Sequence, residues 1–150
     1  MEDLKKTREV LNDLIKINND RIEGYKKAVN ELPDGNADLK VLFTGFIEQS
    51  EALKNELQRQ PGIWDHEVAE ETTAAGKIYR TWMGVKQAFA TDDRKAVLES
   101  CEYGEDAAQK AYKDAQMEAD IAQAARALIN QQKNELLAAH DKVKHLRDQQ

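Results

Sequence analysis

The sequence predicts an all-α protein, a bundle of four long helices forming one domain over residues 1–150. Three observations carry that reading. Apolar residues recur at helical spacing along four long stretches. Only 7 Gly and 2 Pro punctuate the chain, and they fall between those stretches or singly within them. The β-branched, alternating runs that mark strands are missing.

The first stretch, Asp3 to Leu32, is the clearest. Leu4, Leu11, Asn18, Tyr25 and Leu32 recur every seven residues, and Leu14, Ile15, Ile22, Ala28 and Val29 widen the line into a stripe. A stripe this long cannot be buried against its own helix, so partners of similar length are required. Leu32-Pro33-Asp34-Gly35-Asn36 ends the helix with turn chemistry. The second helix is predicted over Ala37 to Gln60, with Leu39, Leu42, Phe43, Phe46, Leu53 and Leu57 inward and Gln49 and Ser50 interrupting them. So short a turn makes the two helices an antiparallel hairpin.

Pro61-Gly62 stops the second helix. The acidic stretch 63–76 reads as the start of a crossover, followed by a short helix from Lys77 to Ala90 with Ile78, Trp82, Val85 and Phe89 on one face. Thr91-Asp92 has N-cap character and opens a third long helix to Ala115. Its inner line is Val97, Leu98, Cys101, Gly104, Ala108, Ala111, Tyr112 and Ala115. The fourth helix is predicted over Ala119 to Arg147, with Ile121, Ala125, Leu128, Ile129, Leu136, Ala139, Val143 and Leu146 inward and Gln132 on the same line.

Counting from the turns places the polar interruptions at one height, since a helix rises about 1.5 Å per residue. Asn18 and the Gln49-Ser50 pair stand equally far from the first turn. Glu105 and Gln132 stand nearly equally far from the second, near Gln116 to Glu118. Asn18, Gln49, Ser50, Glu105 and Gln132 are therefore expected to form a polar belt at mid-bundle. Glu105 is flanked at seven residues by Leu98 and Tyr112, and its burial would favour the neutral form unless a partner is present.

Three stretches carry a family resemblance: Asn12 to Tyr25 (NDLIKINNDRIEGY), Cys101 to Ala108 (CEYGEDAA) and Ala138 to Asp141 (AAHD). The chain resembles the small bacterial ferritin-like proteins grouped as domain of unknown function 2383. The resemblance implies a ferritin-like four-helix fold, a connection to stress, and for many members no established activity. Functional ferritin-like sites draw a Glu from each of two helices and Glu-x-x-His from each of the other two. Here the belt supplies Asn18, Gln49 or Ser50, and Ala108 where such ligands belong, and Leu137 stands three residues before His140. The expectation is a ferritin-like bundle without an intact di-iron site, with no cofactor and no catalytic residue. The alternative is a metal-binding oxidase, holding iron or another divalent ion through Glu102, Glu105 and His140.

The remaining candidates read more simply as structure. Glu23, Glu48 and Glu51 point off the stripe. Asp65-His66-Glu67 with Glu70 and Glu71 could attract a surface ion, but an acidic loop needs none. His140 and His145 fall on different helix faces, Trp64 and Trp82 read as packing groups, and Cys101 as a small inert hydrophobe. No phosphate loop, nucleophile elbow or paired-cysteine zinc pattern occurs.

Charge and composition bound the partners. The 22 basic and 28 acidic residues leave a net charge of −6, alternating in sign along the helices. That excludes the basic stripe a nucleic-acid binder needs and disfavours an anionic membrane surface. One cysteine, no apolar leader and no apolar window of about 18 residues predict a cytoplasmic, soluble protein. A homodimer through leftover apolar faces, Trp82 among them, is the interaction alternative.

Overall fold

The computed structural model describes residues 2–64 and 94–150, and among them every regular element is an α-helix. These are α1 (Leu4–Glu31), α2 (Ala37–Gln58), α3 (described over Arg94–Gln116) and α4 (Gln123–Asp148). The predicted short helix at 77–90, the Thr91-Asp92 cap, Trp82 and the 65–71 acidic group lie outside the described residues. Among those described, no helix is long and apolar enough to cross a membrane.

Helix α1 starts where the sequence places it, because the Asp3 carboxylate accepts from the Lys6 backbone N–H at 3.1 Å. It stops before Leu32, which precedes Pro33 and is extended. Gly35 has φ +93°, the left-handed conformation that the tight turn into α2 requires. Helix α2 ends at Gln58, two residues short of the predicted Gln60, and Gly62 again turns with φ +72°.

The start of α4 is a larger correction. It begins at Gln123 rather than Ala119, because Met117 to Asp120 form a turn in which Asp120 takes φ +66°. Ile121 and Ala122 are buried before the helix begins, so their apolar character belongs to the approach. Arg126 holds this turn closed by donating to the carbonyls of Gln116 and Glu118 at 2.8 and 2.7 Å.

The contacts at the two ends fix the directions of the helices. At one end the Asp3 N–H donates to the Asp120 carbonyl at 2.6 Å, and Arg8 donates to the Ile63 carbonyl at 3.2 Å. The start of α1, the segment after α2 and the α3–α4 turn thus meet there. At the other end Arg94 donates to Asn36 and Asp38, bringing the start of described α3 to the α1–α2 turn. Helices α2 and α3 run one way and α1 and α4 the other. The end of α2 and the described start of α3 accordingly lie at opposite ends of the bundle.

Helices α1 and α2 pack as one hairpin and α3 and α4 as another, with α1 beside α3 and α2 beside α4. Two apolar clusters fill the interior. One contains Tyr25, Ala28, Phe43, Phe46, Leu98, Cys101 and Val143, nearest the α1–α2 turn. The other contains Leu11, Leu14, Leu53, Leu57, Ile129 and Leu136, nearest the α3–α4 turn. Between them the core is polar.

Candidate functional site

The middle of α1 is buried on nearly all sides: Asn18 through Ile22, then Gly24 and Tyr25. Arg21 lies on the line Leu14–Arg21–Ala28 and is 1% exposed, so a guanidinium enters the core between two apolar residues of the same face. A permanent charge cannot be buried there without a counter-charge and hydrogen bonds. Glu105 supplies the counter-charge from α3, fully buried, its Oε1 accepting from Arg21 Nε at 2.9 Å. Arg21 Nη1 donates to Ser50 Oγ at 2.8 Å and to the Phe46 carbonyl at 3.1 Å, both on α2. The guanidinium also stands 5.1 Å from the Phe46 ring centroid and 5.3 Å from that of Tyr25, within cation–π range.

Tyr25 completes this layer by donating its hydroxyl to Glu105 Oε1 at 2.6 Å. Burial and the adjacent Glu105 carboxylate push the Tyr25 phenol well above its ordinary value, so it serves as a donor and not as a base. Burial alone would lower the Arg21 pKa, but Glu105 and its hydrogen bond outweigh that and raise it. The layer is a buried salt bridge in which Glu105 Oε1 accepts from both Arg21 Nε and the Tyr25 hydroxyl.

A second layer follows one turn along α1. Asn18 Nδ2 donates to the Leu14 carbonyl and to the Tyr112 hydroxyl, both at 2.9 Å. Tyr112 passes its own hydrogen to Gln132 Oε1 at 2.8 Å, and Gln132 Nε2 donates to the Leu53 carbonyl at 3.0 Å. This relay touches all four helices. The Tyr112 phenol is likewise raised, chiefly by burial.

Asn18, Ser50, Glu105 and Gln132 are thus fully buried within two adjoining layers. Gln49 is placed differently. It is half-buried at the seam between α2 and α4, where its Nε2 donates to the Glu135 carbonyl at 3.3 Å. Arg21 and Tyr112, which join the layers to Glu105 and Gln132, were not among the belt residues expected from sequence. Arg21 left a signal: a charged residue seven positions after Leu14 and seven before Ala28.

The three residues of the metal-binding alternative face different partners. Glu105 is held by Arg21 and Tyr25. Glu102 pairs with Arg147 near the end of α4. His140 lies between Asp106, 2.5 Å from Nε2, and Asp141, 3.1 Å from Nδ1. Among the described residues, no group of three or more His, Cys, Asp or Glu comes together as metal ligands do.

Comparison with known proteins gives one family. The family described as "Domain of unknown function (DUF2383)" matches residues 6–118, from the first turn of α1 through the end of α3. No curated protein matches the chain.

Proposed function

From a chain that belongs to the DUF2383 family, whose description assigns no activity, we propose a non-catalytic bundle of ferritin-like plan. In this reading a buried ion pair takes the central place that a metal centre holds in working members of that fold. The plan is supported by two antiparallel hairpins whose linked ends, after α2 and before α3, lie at opposite ends of the bundle. The observation that carries the reading is the Arg21–Glu105 contact at 2.9 Å in the fully buried core.

The residues gathered at mid-bundle do not fit a di-iron centre. Such a centre needs several carboxylates to balance its charge and imidazoles to complete its coordination. Among the residues bonded within the two layers there is one carboxylate, Glu105, already accepting from Arg21 and Tyr25. Its charge is balanced by a guanidinium that stays protonated at any pH the fold survives. A divalent ion beside Glu105 would face that cation at close range. The remaining groups are amides and hydroxyls, which are weak ligands for iron.

The role that fits is structural. The two layers specify which turn of each helix faces which, a hypothesis of register for which buried polar groups have precedent. Elemental analysis of protein purified without chelator or metal-affinity tag tests the reading. The expected result is metal well below one equivalent per chain and a melting temperature indifferent to chelator. Stoichiometric iron with a chelator-sensitive melting temperature would overturn it in favour of the metal-binding alternative.

A further inference from the structure

The Arg21–Glu105 pair is joined along one edge only. A guanidinium and a carboxylate commonly meet through two parallel hydrogen bonds, yet here Glu105 Oε1 accepts from both Arg21 Nε and Tyr25 while Oε2 has no protein partner. Arg21 Nη2 has none either. The two atoms belong to the same pair of planar groups whose Nε and Oε1 stand 2.9 Å apart. One turn earlier on the same face of α1, Asn18 Oδ1 is also buried and without a protein partner, its amide nitrogen being engaged by Leu14 and Tyr112.

Leaving such atoms unsatisfied costs about 1–3 kcal/mol each, and more for charged groups. Their chemistry defines what would satisfy them together. Two are acceptors, a carboxylate oxygen and an amide oxygen, and one is a cationic N–H donor. A ligand that donates two hydrogen bonds and accepts one matches that set. A metal ion cannot accept from Arg21, an anion without a proton cannot donate to Glu105, and a second negative charge would face the Glu105 carboxylate. We infer that the centre of the bundle binds a single structural water, donating to Glu105 Oε2 and Asn18 Oδ1 and accepting from Arg21 Nη2. About three hydrogen bonds is the usual complement of a buried water. The water is then the joint between the salt-bridge layer and the four-helix relay, coupling Asn18 to Arg21 without direct contact.

The inference shares its metal-free centre with the function proposed above, and one experiment separates them. A crystal structure of the full chain at about 1.5 Å or better, with data collected at the iron and zinc absorption edges, is expected to show one spherical peak. That peak should lie about 2.7–3.2 Å from all three atoms, without anomalous signal. If the density instead shows Glu105 and Arg21 turned into a two-bond pair with no peak between them, the water is wrong and the scaffold reading survives. A peak with anomalous signal beside Glu105 would overturn both. In an Asn18→Leu crystal the peak should weaken or vanish while the Arg21–Glu105 contact persists. A peak unchanged in that variant would remove Asn18 from the site.

Discussion

Arg21 and Glu105 illustrate how a single side chain commits its neighbours. Once Arg21 is inside, Glu105, Ser50, the Phe46 carbonyl and two aromatic faces are all needed to keep it there. Removing one member of a buried pair strands the other and costs about 3–5 kcal/mol, whereas replacing both by apolar groups of similar volume is often neutral. Arg21→Met and Glu105→Leu should therefore each destabilise by about 3–5 kcal/mol in urea titrations. The double variant should lose far less than the sum. Additive losses would mean that the two charges do not stabilise one another. His140 makes a pH prediction at the same scale. Burial favours its neutral ring, but hydrogen bonds to Asp141 and Asp106 outweigh burial and lift its pKa above the ordinary value. A group raised on folding stabilises fully below its unfolded pKa, about 6.5 for histidine, and loses that contribution as pH rises through its folded value. The gap in melting temperature between wild type and His140→Gln should be widest below about pH 6 and close in alkali. A gap that widened with rising pH would contradict the assignment.

Among the elements, α4 depends on another helix for its beginning. The N–H of Ala122, its N-cap residue, donates to Thr7 Oγ1 on α1 at 2.9 Å, and Thr7 Oγ1 in turn donates to the Asp3 carbonyl at 2.8 Å. One hydroxyl thus ties the first turn of α1 to the start of α4. Thr7→Val should cost roughly 1–2 kcal/mol by the usual scale of cap losses, with Thr7→Ser close to wild type. If Val and Ser variants melt alike, the hydroxyl is dispensable. The same region shows why the sequence misplaced the helix start. Ile121 fits the apolar line of α4, and nothing in periodicity distinguishes a helical residue from one that packs just before a helix. Only the left-handed Asp120 marks the break, and aspartate there carries a weaker signal than glycine would.

For the molecule as a whole, the heights of the helices were legible and the bonding was not. Turn positions and a fixed rise per residue are enough to bring Asn18, Ser50, Glu105 and Gln132 to neighbouring levels. Which groups bond depends on side-chain length and direction, so Gln49 faces the α2–α4 seam while Arg21 reaches inward. Asn19 and Asp20 are also buried, although they sit off the apolar stripe, and amphipathic pattern carries no trace of that. At mid-bundle the two hairpins are bonded through these layers: Arg21 and Tyr25 to Glu105, Asn18 to Tyr112, and Gln132 to the Leu53 carbonyl. If they set register, an Asn18→Leu/Gln132→Leu variant should stay helical by circular dichroism but melt broadly, with poorly dispersed amide resonances. Sharp melting with well-dispersed resonances would show that apolar packing alone chooses the register.

The alternation of directions has an electrostatic consequence. Each helix is antiparallel to the two beside it, so two N-termini and two C-termini share each end of the bundle. The peptide dipoles, each helix equivalent to about half a charge at either terminus, oppose one another between neighbours and largely cancel across the barrel. Their net axial contribution at its midpoint is correspondingly small. The helix dipoles therefore contribute little net axial polarity at the level of Arg21 and Glu105, whose orientation follows the hydroxyls and carbonyls they touch.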